Sequence, residues 1–156
     1  MIVVSDTSPL NYLVLIGQEN LLHELFGKVV IPQAVFDELG DEGAPAEVRA
    51  WSQNHPHWVE VKQSRLTADA ALDILDPGER EAILLAQEIS ADLLLIDDRQ
   101  ARQVASEFGL AITGTVGVLD QAARAGLIDL KKTVAELRKT NFHIAENIVR
   151  KLLEDE

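Results

Sequence analysis

The chain has 156 residues, enough for one domain with a sizeable core, and its 47% apolar and 26% charged residues are an ordinary globular mix. The absence of cysteine excludes disulfides, thiolate metal sites and cysteine nucleophiles and favours a cytoplasmic location; no signal peptide is expected from MIVVSD, and no apolar run approaches the ~20 residues of a membrane span. Fourteen basic against 26 acidic residues give a net charge of −12, which argues against non-specific grip on a polyanion, although divalent ions held by clustered carboxylates would neutralise part of it.

Met1 to Val4 is an apolar run ended by Ser5-Asp6-Thr7-Ser8-Pro9. That pattern predicts the central strand of an α/β sheet with its tip at the ligand-binding edge. Asp6 is therefore a candidate metal ligand or phosphoryl-handling residue, and the alternative is that Asp6 or Ser8 caps the following helix. Leu10 to Ile16 reads as a short helix stopped by Gly17, and Asn20 to Phe26 as a second stopped by Gly27. The leucines at 13, 15, 21, 22 and 25 suit a subunit interface or core packing equally well. Val29 to Ile31 makes a brief strand, and Pro32 stands where a helix over Gln33 to Leu39 would start. Ala34, Val35 and Leu39 are its candidate core positions. Asp37 and Glu38 fall in its final turn, where the helix dipole disfavours acids unless a cation compensates. Glu38 is thus the second candidate ligand, with a solvated helix end as the alternative.

Asp41 to Pro45 is a turn, Ala46 to Trp51 a helical piece, and Trp58 to Val61 extended. His55 and His57 resemble a metal pair, but no third nitrogen or sulfur ligand stands near, and surface loop histidines are the better reading. Leu66 to Leu75 is expected to be helical with Ala68, Ala71, Leu72 and Leu75 facing inward. Pro77-Gly78 then opens a helix with Ala82, Ile83, Ala86 and Ile89 at three- and four-residue spacing and Glu79 in its first turn. Leu93 to Ile96 is a short apolar run stopped by Asp97-Asp98, the pattern of a buried parallel strand with acids at its carboxyl end. Ala101 to Phe108 continues as a helix, and Leu110 to Ile112 as a short edge strand. Thr113 to Gly117 is a polar turn into a helix over Val118 to Ala125; it lacks the lysine and spacing of a P-loop, yet its amides and hydroxyls could meet a phosphate. Two helices follow Gly126, at Val134 to Arg138 and Ile144 to Leu153, the latter with Ile144, Ile148 and Leu152 on one stripe. Lys131, Lys132, Arg138, Lys139, Arg150 and Lys151 make this tail the most basic part of the chain.

The alternation of strands and helices predicts an α/β fold, a three-layer α/β/α sandwich with a central parallel sheet in a single domain, with 127–156 as its C-terminal helical extension. Ligands of such folds bind outside the carboxyl ends of the strands. Asp6, Glu38, Glu79 and Asp97-Asp98 could meet there from four separate segments. Like charges held that close repel unless cations occupy the cluster, and hard ions with oxygen ligands, Mg²⁺ or Mn²⁺, are the natural occupants. A pair of such ions activates water for phosphodiester hydrolysis. No histidine, cysteine or lysine in these segments supports a covalent or general-base scheme.

Four motifs stand in order: DTSPL at Asp6 to Leu10, GEREAI at Gly78 to Ile83, LLIDDRQAR at Leu94 to Arg102 and GTVGVL at Gly114 to Leu119. With them the chain resembles the PIN domain superfamily of Mg²⁺/Mn²⁺-dependent ribonucleases, which includes the VapC-like toxins, and most closely the PIN-like subfamily with DTSPL, GExEAI, LLIDDRxAR and GTxGVL motifs. The resemblance implies that Asp6 is the first metal-binding acid and Glu38, in VFDEL, the second. Glu79 takes the third position, where the toxins more often have Asp, and Asp98 the fourth, with Asp97 beside it able to share the role. Thr7 or Ser8 matches a hydroxyl that steadies the first acid, and Thr115 a polar residue near the same edge. It further implies an RNA substrate, a homodimer and often a small antitoxin whose tail blocks the pocket. Two other readings remain open here. One is a PIN-like protein without significant nuclease activity that serves as a nucleic-acid-binding or regulatory partner, motivated by the charge of −12. The other is a phosphotransfer receiver or phosphatase-like α/β domain, which nothing after Ile112 supplies with its lysine.

Overall fold

In a computed structural model of the chain, whose residues 1–154 are described, the opening apolar run forms β1 (Val3–Ser5), buried at every position. It is the central strand of a five-stranded parallel sheet. The other strands are β2 (Val29–Ile31), β3 (Val59–Val61), β4 (Leu93–Leu95) and β5 (Ile112–Thr113), in the order β3-β2-β1-β4-β5. Val4 pairs with Val30 on one side and Leu94 on the other. The chain thus runs outward from β1 through β2 to β3, then returns to the opposite side of β1 for β4 and β5. The reversal lies between β1 and β4, the place where open parallel sheets form a crevice beyond their carboxyl ends.

Side chains alternate across this sheet, as the pleat requires. Val3, Val29, Ile31, Val59 and Leu95 face one layer, made of α1 (Thr7–Leu15), α2 (Asn20–Phe26), α4 (Ala46–Gln53), α7 (Thr115–Arg124), α8 (Leu130–Arg138) and α9 (Glu146–Glu154), with α3 (Gln33–Leu39) adding Val35 and Leu39. Val4, Val30, Leu94 and Ile96 face the other, made chiefly of α5 (Pro77–Glu88) and α6 (Arg99–Glu107). The result is the three-layer α/β arrangement expected. Among the described residues no helix is long and apolar enough to cross a membrane.

The bounds of α2, β2 and α3 match the spacing of apolar residues and glycine stops. Others shift for local reasons. Helix α1 begins at Thr7 because Pro9 sits in its first turn, where a missing N–H costs nothing. Helix α7 begins at Thr115 and α8 at Leu130, the latter capped by Asp129 accepting from the Lys132 amide. One expectation fails: Leu66 to Leu75 is not a helix but an irregular strap with a single 3-10 turn at Ala70–Leu72. The Asp69 carboxylate takes the Ala71 amide at 2.9 Å, a local bond that competes with helix propagation. Leu72 and Leu75 are buried there, while Ala68 and Ala71 are exposed. The stripe on α9 is also rotated by one position, for Val149 is buried and Ile148 is 47% exposed. Of the five N-terminal leucines, Leu13, Leu21 and Leu22 lie in the core and Leu15 and Leu25 pack against it.

Candidate metal centre

Asp6 follows β1, and its own amide extends the sheet ladder to Leu95 O at 2.9 Å. Its backbone occupies the N-cap position of α1, yet its side chain makes no capping hydrogen bond. The residue is only 4% exposed and Oδ1 has no partner. A buried acceptor left so costs about 1–3 kcal/mol, a loss that a bound ion or water would offset; Glu19 Oε2 and Arg49 Nε are buried without a partner elsewhere. Burial pushes the Asp6 carboxyl well above the usual range; the Thr7 amide opposes this, and the charges of Glu79, Asp76 and Glu38 reinforce it.

Glu38 reaches the same place from the end of α3. The Thr7 hydroxyl donates to its Oε2 at 2.6 Å, so one residue of α1 fixes the second acid beside the first. The carboxylate lies over the start of α5 at buried Gly78, where a Cβ would stand 2.5 Å from Oε1. The glycine of the GEREAI motif is therefore the space that Glu38 fills. Glu79 comes next, held in a capping box: Asp76 Oδ1 accepts from the Glu79 amide at 2.8 Å, and Glu79 Oε1 accepts from the Asp76 amide at 3.2 Å. Burial raises the Glu79 carboxyl to about 7, against the lowering effect of the Asp76 amide and with help from the charges of Asp76, Asp98 and Glu38.

The two aspartates after β4 divide their work. Asp97 Oδ1 accepts from the Thr115 amide at 2.7 Å, and Oδ2 accepts from the Thr115 hydroxyl at 2.7 Å and the Ser8 hydroxyl at 2.6 Å. It ties the start of α1 to the start of α7, and a Cβ at Gly114 would stand 2.5 Å from Oδ1. Asp98 caps α6, its Oδ2 accepting from the Ala101 amide at 3.0 Å. The Thr115 donors are thus spent on Asp97 and are not free for a phosphate. His55 and His57 part company as well. His55 Nδ1 is 3.0 Å from Ser52 O with its ring against Phe36, and His57 lies near His23.

Asp6, Glu38, Glu79, Asp97 and Asp98 all line one cleft of about 460 Å³ at the reversal point of the sheet. As the side chains stand, no three His, Cys, Asp or Glu among the described residues are gathered closely enough to hold a metal ion. Glu38, Glu79 and Asp98 are each turned to a hydroxyl or an amide instead. The donor set nonetheless fits a hard divalent cation: it is all oxygen, mutually repelling, and includes the orphaned Oδ1 of Asp6. The cleft has members that the sequence reading did not single out as site residues. Asp76 could have been found from the D-x-x-E spacing of a capping box. Asn11 stands three to four positions beyond Thr7 and Ser8 on α1, and Tyr12 four beyond Ser8. Asn141, Phe142 and His143 have no local signal, because only the packing of the C-terminal helices brings them over the cleft.

No curated protein matches the sequence. Among solved structures, the fold is similar to that of a PilT N-terminus domain protein from the hyperthermophilic archaeon Sulfolobus solfataricus P2. The TM-score is 0.53 at 19% identity, over 93% of this chain and all of the other. The profile of the PIN-domain family DUF3368 matches residues 2–155. On that match across nearly its whole length, the chain belongs to the PIN-domain family DUF3368.

Proposed function

We propose that this protein is a divalent-metal-dependent ribonuclease, using Mg²⁺ or Mn²⁺ to hydrolyse RNA phosphodiester bonds. PIN domains are generally nucleases and typically use divalent metals. The observation that carries the reading to this chain is the buried, partnerless Oδ1 of Asp6 in a cleft shared with Glu38, Glu79 and Asp98. Those four residues would hold the ion, which when bound polarises a phosphate and lowers the pKa of water for in-line hydrolysis.

The chain's own residues prepare that site. The Thr7 hydroxyl keeps Glu38 beside Asp6, and the Asp76–Glu79 capping box keeps Glu79 at the mouth of α5. Asp97, gripping Ser8 and Thr115, locks α1, which lines the cleft, to the start of α7. Each of these bonds holds an acid near the shared edge while leaving lone pairs on its carboxylate. Among the described residues no lysine lines the cleft, which leaves receiver-type phosphotransfer without its cation.

The finer reading is that the nuclease is the toxin of a toxin–antitoxin pair, a cytoplasmic homodimer restrained by a small partner protein. Its support is the four-motif resemblance and an acidic cleft suited to a basic tail. The test of the activity is direct. Purified full-length protein with Mn²⁺ or Mg²⁺ should cleave single-stranded RNA, and Asp6→Asn should abolish cleavage with the fold intact by circular dichroism. No cleavage with either ion would leave the non-enzymatic reading, a nucleic-acid-binding or regulatory PIN-like protein, in its place. Growth arrest on expressing the chain alone, absent with Asp6→Asn, tests the toxin role.

A further inference from the structure

A second groove of about 430 Å³ opens beside the acidic cleft and shares Asp97, Phe142 and His143 with it. Its character is different. Arg99 and Arg102 line one wall, and Asp97 is its one carboxylate, both oxygens already engaged by Thr115 and Ser8. In a chain of net charge −12 this is a local reversal of sign. The two arginines sit in the first turn of α6, directly after its cap Asp98. The helix dipole disfavours cations at that end, and the Asp98 carboxylate at the cap offsets part of this. Arg99 is exposed and, among the described residues, its side chain has no hydrogen bond or ion pair. Arg102 is anchored, its Nη1 donating to Ile96 O at 3.1 Å.

The wall formed by Phe142 is firmly held. Tyr12 of α1 donates its hydroxyl to Asn141 Oδ1 at 2.8 Å, and its ring meets Phe142 edge-on at 4.8 Å. Phe142 and the exposed Ile148 give this wall an apolar surface. The groove is within the ~300–1,000 Å³ of sites that enclose a small ligand. It could take one nucleotide unit and could not enclose a duplex.

We propose that this groove is the neighbouring-nucleotide subsite of the cleft. It binds the phosphate and base adjoining the scissile bond of a single-stranded RNA, with Arg99 and Arg102 on the phosphate and Phe142 and Ile148 against the base. The proposal rests on the ribonuclease reading and deepens it. It also answers how so acidic a protein grips a polyanion: by a short cationic stretch at the exit of a cation-filled cleft rather than by a basic face. Charge-assisted contacts from a guanidinium to phosphate supply the hold, and an apolar surface for the base makes it tolerant of sequence.

The test is equilibrium binding of a fluorescent single-stranded RNA to full-length wild-type protein with Ca²⁺, another hard oxygen-binding ion, in place of Mg²⁺, so that the cleft is filled while the probe stays whole. Adding Arg99→Gln should weaken binding several-fold and reduce the slope of log affinity against log salt by about 0.7, the value for one single-strand phosphate contact. Ile148→Ser should weaken binding with the slope unchanged, and the same RNA as a duplex should bind more weakly than the single strand. Unchanged affinity and slope in Arg99→Gln, a preference for the duplex, or no measurable binding by the parent would overturn the subsite. Cleavage by the wild-type chain is measured in parallel. Cleavage with no Arg99 dependence removes the subsite alone, whereas Arg99-dependent binding without cleavage removes the nuclease reading alone.

Discussion

The carboxylate of Glu38 occupies the volume that a side chain at Gly78 would need, with Oε1 2.5 Å from the position of a Cβ there. Two residues forty positions apart are thereby matched, and the match has a consequence. Gly78→Ala adds a better helix former within α5, a change worth up to about 1 kcal/mol in a helix. The atom it displaces is the end of a flexible side chain that one hydroxyl, that of Thr7, holds in place. The variant should melt at or above the wild-type temperature while cleavage falls ~10–100-fold, as for other groups that orient a metal ligand. Thermal melts and a cleavage assay on the same preparation check both halves.

Asp6→Asn removes a charge from a buried site that Glu38, Asp76 and Glu79 already make unfavourable for it. Metal-free Asp6→Asn should therefore melt no lower than the wild type, and each kcal/mol gained should appear as about 2–4 °C. Mn²⁺ should raise the melting temperature of the wild type and leave the variant's where it is.

The pH dependence follows from Glu79 and Asp6. Glu79 has its carboxyl raised from 4.5 to about 7 in the folded chain, and Asp6 is raised too. Between those limits the folded state binds more protons than the unfolded, so stability falls as pH rises. The metal-free protein should lose denaturant resistance from about pH 4.5 to 7. A divalent ion competes with the same protons, so the Mn²⁺-induced rise in melting temperature should grow over that interval and cleavage should climb with it.

Asp98 and Asp97 can be told apart by substitution. Asparagine caps helices about as well as aspartate, so Asp98→Asn should keep the α6 cap and the fold while weakening the cation site. Thr115→Val takes one hydroxyl from Asp97 in a buried position, which should cost about 1–3 kcal/mol. Urea unfolding should show the loss in Thr115→Val and none in Asp98→Asn, with cleavage reduced in both.

Much of the sheet could be read from local signals. Val29 to Ile31 and Gln33 to Leu39 are bounded by glycine and proline, and the acids of β1 and β4 fall at the ends of short apolar runs. Parallel pairing then takes Asp6 and Asp97 to one edge. The Leu66 to Leu75 strap was misread because its alanines and leucines fit a helical period, whereas Asp69 captures a backbone amide and ends the helix before it forms. Phe142 and His143 were illegible for another reason. They reach the cleft where the C-terminal helices pack and the Tyr12 ring and hydroxyl hold a segment some 130 residues later in the chain, a contact no local pattern encodes.

The central claim is that acids from four segments share a divalent cation. Calorimetric titration of Mn²⁺ at pH 7.5 into metal-free wild type and Asp6→Asn tests it most directly. Saturable binding by the wild type, lost in the variant with its fold unchanged, is the result predicted. Binding absent from both, or equal in both, would contradict it.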